Sequence, residues 1–476
     1  MQQHTTIQAE LAAFLRKGGQ TINQFAGISG VNSGTLSSII NGNRPIAMQQ
    51  LDRITAGMGL PEGAFYELYI DECVVHSAPD WRRLGPFLHR CAELDKLECI
   101  RQVVQIIMDN ITYAPLLYDT AEEFYGKGKL QAAALLYEGV ADSEKYQHSE
   151  RLAMCQYRLF TIRTGQSPEA DFRAATRFEY FVDRLEEIDQ LEALRQLADI
   201  YIRLQHWEKA RLLAEGLHHK TSIQYEIRYY KTRKKKELRQ ASRPLCFYIL
   251  YAYWLQSKVC EESGEYERAL EYVSLYSEMN WIVEKSEEVQ QIREQFSRLG
   301  LVYASLYRLM CGELELLPEV VEYIGTPELG MLDGLLKAVQ AANRYGWEVD
   351  GLISRFQPLL APESAAFGQE EGTSGREKET PDLYPVLFYE LAVYSFKAEK
   401  AGQAEQRLEQ GLHYLFGSLE ASAALGSTAC VIRCVRLFEQ FRPHASAEDR
   451  DRYKRLINKV QLAHTGAKRT IESLRE

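Results

Sequence analysis

Apolar residues recur three and four positions apart along most of this chain, and no run alternates apolar and polar residues as a half-buried strand would. This pattern predicts an all-α protein. Residues 1–72 contain short apolar stretches broken by Gly, which predicts short helices. The remainder has longer stretches rich in aromatic residues, and only 14 of the 476 residues are Pro, so longer helices are expected there.

One segment interrupts the helical pattern. Residues 361–382, "APESAAFGQEEGTSGREKETPD", are rich in Glu, Gly, Ser, Thr and Pro and lack the apolar residues of a core. Such a composition predicts a flexible loop. Because a helical pattern resumes after it, we interpret the segment as an insertion within the helical region.

Helix-capping signals divide the first 72 residues. Thr21 and Gln24 fit a capping box at the start of one helix, and Asn32 fits the cap of the next. Gly30 lies between them, where a tight turn favours a positive φ. The same stretch predicts inward-facing residues at Val31, Leu36, Ile39, Leu51, Ile54 and Met58, a helix end at Asn41 and Gly42, and a fifth helix beginning at Pro61.

The segment "TINQFAGISGVNSGTLSSIINGNRPI", residues 21–46, resembles the helix-turn-helix of the five-helix DNA-binding domains found in phage repressors. The resemblance implies that the second helix of the motif enters the major groove of DNA. Carried over by position, the residues facing bases are Asn32, Ser33, Thr35, Ser37 and Ser38, and those facing phosphates are Thr21, Gln24, Asn41, Asn43 and Arg44. An ordinary helical hairpin with the same caps is the alternative interpretation.

Two departures from the repressor pattern bear on affinity. Ser33 and Gly34 stand where members of the repressor class often carry Arg, Gln or Lys, and Ala47 replaces the usual Ser or Thr cap of the fourth helix.

The net charge of the chain is −10, yet the first 70 residues are neutral. Their charged residues are the cations Arg16, Lys17, Arg44 and Arg53 and the acids Glu10, Asp52, Glu62 and Glu67. Because phosphate neutralisation dominates DNA affinity, a single copy of this region is expected to bind weakly.

Small residues twelve positions apart mark a repeat in the remainder. The pairs are Ala121/Ala133, Ala198/Ala210, Ser257/Ala269 and Ala392/Ala404. In tetratricopeptide repeats of about 34 residues such pairs lie where two helices cross. We predict about seven degenerate helix pairs over 113–415, followed by terminal helices near 418–441 and 447–464. A non-repetitive helical bundle is the alternative.

Stacked helix pairs form a right-handed superhelix with a concave inner surface, lined by the first helix of each pair. The residues expected on that surface are Arg195, Asp199, Arg203, Tyr251, Trp254, Lys258, Asn343 and Tyr389. Aromatic, charged and amide side chains together suit an extended peptide. Each of them could instead serve packing or surface solvation.

A basic run, "RYYKTRKKKELR" over 228–239, contains seven cations and one acid. We interpret it as a solvated helix end or long loop, with an auxiliary phosphate contact as the alternative.

Other chemistry is sparse. The nine Cys form no Cys-x-x-Cys, and the Cys430 and Cys434 pair has no His or acid at ligand spacing, so no metal or other cofactor is predicted. Phosphate-loop, zinc-protease and nucleophile-elbow motifs are missing from the sequence, so we do not predict an enzyme. The N-terminus has no signal-peptide pattern and no apolar run reaches membrane-spanning length, which favours a cytoplasmic protein without a membrane partner.

The two predicted regions together resemble the peptide-sensing regulators of Gram-positive bacteria and their phages, the Rap–Rgg–NprR–PlcR–PrgX group with the arbitrium receptors. The resemblance implies a quorum-sensing-type transcriptional regulator, a homodimer that binds double-stranded operator DNA. A short signalling peptide in the repeat groove would change its DNA affinity. The predicted domains are a helix-turn-helix domain over 1–72, connecting helices over 73–112, the repeat array over 113–415 and capping or dimerisation helices over 416–476. The alternatives are an interaction scaffold and a regulator that responds to a protein or a small molecule.

Overall fold

The computed structural model describes residues 6–72, 79–147, 149–231, 239–360, 383–397, 404–425 and 428–459. Every regular element within these ranges is helical, which confirms the all-α prediction. The described residues form two compact units. The N-terminal unit comprises those up to Gly216 together with 239–242, and the C-terminal unit comprises those of 217–231 and 243–459.

The helices of the N-terminal unit are short at first and longer later. They are α1 (Ile7–Gly18), α2 (Ile22–Ser29), α3 (Ser33–Ile40), α4 (Met48–Gly57), α5 (Tyr66–Ile70), α6 (Trp81–Glu93), α7 (Leu97–Ile107), α8 (Ala114–Gly126), α9 (Leu130–Ser143), α10 (Glu150–Arg163), α11 (Pro168–Phe178) and α12 (Glu187–Arg203). The next helix, α13 (Trp207–Glu226), begins in this unit and ends in the other.

The helices of the C-terminal unit continue the series. They are α14 (Leu245–Glu262), α15 (Tyr266–Ser277), α16 (Glu287–Met310), α17 (Leu317–Tyr323), α18 (Met331–Tyr345), α19 (Asp350–Arg355), α20 (Leu383–Lys397), α21 (Ala404–Leu425) and α22 (Thr428–Phe441). A last described helix covers 447–459. Within the described residues, no helix is both long and apolar enough to cross a membrane.

The first five helices share their hydrophobic core with the helices that follow. Phe25, Leu36 and Ile54 are fully buried in a cluster that extends without a break to α10. The rings of Tyr66 and Tyr69 on α5 lie 5.2 and 5.3 Å from the ring of Phe87 on α6. The predicted domain boundary near residue 72 therefore does not coincide with a break in the core.

The predicted start of the fifth helix is wrong. Pro61 lies outside any helix, and α5 begins at Tyr66. Gly63 between them adopts φ +77°, a left-handed conformation that interrupts a helix. The intervening backbone instead forms turns, in which Ala64 N–H donates to the Pro61 carbonyl at 3.1 Å.

Among the described residues, seven helix pairs in chain order, α8/α9 to α20/α21, follow α7. Their number and their start agree with the sequence prediction, although α21 runs ten residues beyond the predicted limit of 415. Seven of the eight small residues of the twelve-residue spacing are fully buried, namely Ala121, Ala133, Ala198, Ala210, Ser257, Ala269 and Ala392. The exception is Ala404, the predicted partner of Ala392, which is exposed at the first residue of α21.

The close approach between α20 and α21 lies elsewhere than predicted. Gly411 on α21 faces the ring of Phe396 so closely that a Cβ atom would collide with it. About two turns further along, the Ser418 hydroxyl donates to the Pro385 carbonyl at 2.7 Å. Contacts at Gly411 and Ser418 therefore replace the expected crossing at Ala404.

Alternate helices of the C-terminal unit pack into one layer. Every second helix contacts the next member of the same layer, from α14 through α16, α18 and α20 to α22. The intervening helices α15, α17 and α21 pack against the first helix of their own pair. This order places residues of α14, α18 and α20 within one layer.

Candidate functional sites

The helices α2 and α3 are fixed by the caps that the sequence predicts. The Thr21 hydroxyl accepts from the Gln24 backbone N–H at 3.3 Å, and the Gln24 side-chain oxygen accepts from the Thr21 N–H at 2.8 Å. The Asn32 side-chain oxygen accepts from the N–H groups of Gly34 at 2.9 Å and Thr35 at 3.4 Å. Both caps and the positive φ of Gly30, +67°, are confirmed.

A close contact that the sequence did not reveal holds α2 against α4. Gly57, the last residue of α4, faces α2 so closely that a Cβ atom would lie 2.9 Å from Ser29 Cβ and 3.1 Å from Phe25 Cζ. The Ser29 hydroxyl donates to the Phe25 carbonyl at 2.9 Å and accepts from the Val31 N–H at 3.3 Å. These contacts fix the turn that orients α3.

The predicted DNA-facing residues all have accessible surface. Thr21, Gln24, Asn32, Asn41, Asn43 and Arg44 are exposed, and Ser33, Thr35, Ser37 and Ser38 are half-buried. Leu36 and Ile39 on the opposite side of α3 are fully buried. The helix therefore presents one polar surface, whose hydroxyl groups can donate to and accept from base edges.

Cations near this surface are few but unshielded. Arg44 is exposed and has no ion pair within the described part of the chain. Arg53 donates to the Gly30 carbonyl at 3.3 Å. Arg16 and Lys17, which are not among the predicted DNA-facing residues, are exposed in the last turn of α1. Gly19 at φ +59° then turns the chain toward Thr21.

The negative charge of the nearby Asp52 is compensated by hydrogen-bond donors. Its carboxylate accepts from Arg90 Nε at 2.9 Å and from the Tyr66 hydroxyl at 3.0 Å. Burial and this hydrogen bond to Asp52 raise the pKa of Tyr66 well above its ordinary value. Arg90 lies on α6, beyond the predicted DNA-binding region. It therefore offsets the negative charge of Asp52 from outside that region.

The peptide-facing residues predicted on α12 are engaged in ion pairs. Arg195 lies 2.6 Å from both Glu192 and Asp199, one turn away on either side of it. Arg203 lies 3.2 Å from Asp171 of α11. A ligand that used these charges would have to compete with the existing pairs.

Aromatic rings form a ladder along one face of α14. The Tyr251 ring stacks on Phe247 at 5.4 Å and lies 5.2 Å from Trp254. Tyr251 and Trp254 are half-buried, so part of each ring remains accessible. The Trp254 indole N–H is buried and has no acceptor among the described residues.

Lys258 continues this face but belongs to a buried ionic cluster. Its ammonium group lies 2.5 Å from the Glu261 carboxylate, which Lys337 of α18 approaches to 2.9 Å. The Tyr307 hydroxyl also donates to Glu261, at 2.8 Å. Burial alone would raise the pKa of Glu261, but Lys258 and Lys337 lower it to about 2.

The remaining predicted peptide residues lie on α18 and α20. The Asn343 amide nitrogen donates to the Glu390 carbonyl at 2.9 Å and to its carboxylate at 2.8 Å, and thereby connects the two helices. Tyr389 is half-buried, and burial raises the pKa of its phenol. Five predicted peptide residues thus lie in one layer of the C-terminal unit, whereas the three on α12 belong to the other unit.

Two further sequence features receive only a partial structural description. Residues 232–238 of the basic run and the whole insertion 361–382 lie outside the described residues. At the end of the run, Arg239 pairs with Glu186 and lies 2.8 Å from Asp189.

The cysteine pair on α22 is buried. Cys430 and Cys434 lie 3.4 and 3.1 Å from the Ser418 hydroxyl. Across the described ranges, no three His, Cys, Asp or Glu side chains are grouped as a metal ion requires.

Comparisons with known proteins assign no family. No family model matches the chain, and no curated protein matches it. A solved structure described as "Circular tandem repeat protein with novel repeat topology and enhanced subunit contact surfaces" aligns with 98% of this chain and 99% of its own, at 13% identity and a TM-score of 0.19. A similarity at that TM-score carries no argument about fold or function.

Proposed function

We propose that this protein is a DNA-binding transcriptional regulator in which α3 reads base edges and the region up to Ile70 acts as a helix-turn-helix domain. One observation carries the proposal. A tight turn at Gly30 connects two capped helices, and the second of them buries Leu36 and Ile39 and presents hydroxyl and amide groups on its other side. Repressor-type recognition helices require this division between a buried and a polar side.

The distribution of charge supports selective binding with modest affinity. Along the chain, Arg16 and Lys17 precede α2 and Arg44 follows α3, so cations lie on both sides of the helix-turn-helix segment in the sequence. Three cations give far less affinity than a broad basic surface would. Two copies of the domain in a homodimer would bind two half-sites, and the second would bind at high effective concentration.

The DNA proposal can be tested by capture of genomic DNA fragments on the purified full chain, followed by sequencing and fluorescence anisotropy. Replacing Thr35 and Ser38 by Glu should abolish binding to the captured sequence, because carboxylates would face bases and phosphates. The control is Ser274→Glu on α15, since Ser274 is exposed and, like Ser38, donates to the carbonyl four residues earlier. Retention of operator binding by the double variant would identify α3 as the wrong reading helix.

We also propose that the helix pairs form a tetratricopeptide-like array and that the α14 face binds a short peptide that changes DNA affinity. The partly accessible Tyr251 and Trp254 rings supply flat contact area, and the unpaired Trp254 indole N–H would be satisfied by a peptide carbonyl. The peptide shifts DNA binding only if it binds the two states of the dimer with different affinity.

A pool of randomised synthetic heptapeptides, passed over the immobilised protein and eluted for mass spectrometry, tests this part. Trp254→Ala should lose the peptides that the unsubstituted protein retains. Tyr146→Ala removes a ring that is 89% exposed in the N-terminal unit and should retain them. If the Trp254 variant keeps the same peptides, the groove is elsewhere. If DNA is captured but no peptide is, the regulator responds to a different effector.

A further inference from the structure

A cavity of about 440 Å³ opens between the second half of α13, α14 and the end of α15. Its volume lies in the range of small-molecule sites. The residues that line it are His218, Ser222, Tyr225, Glu226, Tyr230, Ile249, Tyr253, Leu275, Glu278 and Trp281, all in the C-terminal unit.

The cavity lies on the opposite side of α14 from the aromatic ladder. Ile249 and Tyr253 are four residues apart and share one face of the helix, whereas Tyr251 is turned away from each of them by about 160°. A ligand in the cavity therefore does not compete for the Tyr251 and Trp254 face. The site is separate from the proposed peptide site and does not depend on it.

Four aromatic residues form much of the lining. The Tyr225 ring lies 5.2 Å from Trp281 at 75°, which places the two rings edge to face. The Tyr225 hydroxyl accepts from the Val283 N–H at 2.9 Å, which holds the ring in place from the loop after α15. Tyr253 and Tyr230 add two further rings. The faces of such rings carry negative electrostatic potential and attract cations.

The described residues of the lining carry formal negative charge. Glu226 and Glu278 contribute carboxylates, and no Lys or Arg is among the described residues that line the cavity. The Glu278 carboxylate is exposed and has no hydrogen-bond or ion-pair partner within the described residues.

The histidine of the lining does not offset this charge. Burial and then the neighbouring His219 lower the pKa of His218, so its imidazole is neutral near pH 7. The His218 Nε2 atom lies 2.8 Å from the Tyr253 hydroxyl and 3.5 Å from the Ser222 hydroxyl. The imidazole is therefore engaged with the Tyr253 hydroxyl, and the Glu278 carboxylate supplies the negative charge that attracts a ligand.

We propose that this cavity binds an organic ammonium ion, held over the faces of the tyrosine and tryptophan rings and neutralised by Glu278. A cation placed there gains from ring and carboxylate together, whereas an anion would meet the negative charge of Glu278 and a neutral apolar ligand would desolvate that carboxylate without compensation. The ammonium group could belong to a free small molecule or to a lysine side chain.

Calorimetric titration of the full-length protein tests the proposal with two isosteric probes. Choline and 3,3-dimethylbutan-1-ol have the same shape, but only choline is charged. Choline should bind at least about tenfold more tightly, because ring faces and carboxylates favour the charge. Nα-acetyl-trimethyllysine methylamide, titrated in parallel, distinguishes the two sources: tighter binding than choline would indicate a lysine side chain, and weaker binding a free ammonium compound.

Two variants locate the binding. Glu278→Gln removes one carboxylate at nearly constant volume, and Trp281→Leu removes one ring; each should weaken choline binding by about fivefold or more. Glu271→Gln on α15 is the control, because Glu271 is exposed and does not line the cavity. Thermal unfolding by circular dichroism verifies that each variant is folded. The proposal is overturned if neither ammonium probe binds, if the neutral isostere binds equally well, or if both variants bind like the unsubstituted protein.

Discussion

Lys258 belongs to a buried ionic cluster of the C-terminal unit. Lys258 follows Tyr251 and Trp254 on one helix face, which suggests a cation for a peptide carboxylate. In the structure, Lys258 forms an ion pair with Glu261, one turn further on, and Glu261 also pairs with Lys337 from α18. The first partner is within reach of a sequence argument at i, i+3, but the second lies 76 residues away and is not.

Replacing Glu261 by Gln should strongly destabilise the C-terminal unit. The substitution leaves Lys258 and Lys337 without their shared carboxylate in a site where the Glu261 side chain is only 1% exposed. Breaking a buried ion pair on one side costs about 3 to 5 kcal/mol. Urea unfolding followed by circular dichroism measures the loss in the transition of that unit.

The exposed Glu267 on α15 provides the matched control, and Glu267→Gln should leave the midpoint nearly unchanged. A Glu261→Gln midpoint equal to that of the control would show that the carboxylate contributes little net stability.

The same cluster predicts acid sensitivity with a defined sign. The pKa of Glu261 is lowered in the folded state to about 2 from an ordinary 4.5, so the folded state binds this proton less readily than the unfolded chain. Its contribution, about 3 kcal/mol, is present above pH 4.5 and is lost as the pH falls toward 2. Unfolding free energies measured between pH 6 and pH 2 should fall more steeply for the unsubstituted protein than for Glu261→Gln. Parallel curves would contradict the assignment.

Among the helices, the features predicted correctly are those that depend on one turn of chain. The caps at Thr21 and Asn32 and the left-handed Gly30 involve partners within three residues, so residue type and spacing suffice to identify them. The start of α5 was misplaced because Pro61 is compatible with a helix start but does not compel one, and Gly63 prevents it. The prediction of a helix crossing at Ala404 was wrong because a small residue permits a close approach without requiring it.

Two glycines of the first five helices should respond oppositely to substitution by Ala. Gly57→Ala places a methyl group against Ser29 and Phe25 and should destabilise the N-terminal unit by about 1 to 3 kcal/mol through overpacking. Gly27 lies within α2, where an added methyl group would meet no neighbouring group within 4 Å. Gly27→Ala should therefore stabilise the unit by up to about 1 kcal/mol through helix propensity.

Thermal unfolding of the two variants, monitored by circular dichroism, compares them directly. Equal shifts in Tm of the same sign would refute the assignment of the α2–α4 contact to Gly57.

At the scale of the whole chain, the sequence predicted the all-α class and the number of helix pairs, because helical periodicity and small-residue spacing are properties of successive residues. The candidate sites were harder to predict. Arg195, Arg203 and Asn343 are joined to partners on neighbouring turns or helices that no motif identifies. The cavity lined by Tyr225, Tyr253 and Trp281 was not predicted from the sequence, because its lining comes from three helices and two connecting segments.

The proposed regulator should show an unusually shallow salt dependence for a DNA-binding protein. If Arg16, Lys17 and Arg44 are the phosphate contacts of each copy, the slope of log K against log salt is about −2.7 per copy. Fluorescence anisotropy with the captured operator between about 50 and 200 mM salt measures it. Arg44→Ala should reduce the slope by about 0.9 per copy, and a slope unaffected by this substitution would exclude Arg44 from the interface.

The layered order of the C-terminal unit has a kinetic consequence. Within its described residues, most of the close packing joins helices that are adjacent or next but one along the chain, so most contacts join residues of low sequence separation. Low contact order favours rapid folding, and nearest-neighbour coupling allows one end of a helical stack to open while the rest stays intact. Amide hydrogen exchange should therefore decrease gradually from α22 toward the interior of the stack, and the terminal pairs should exchange through local opening well below the free energy of global unfolding.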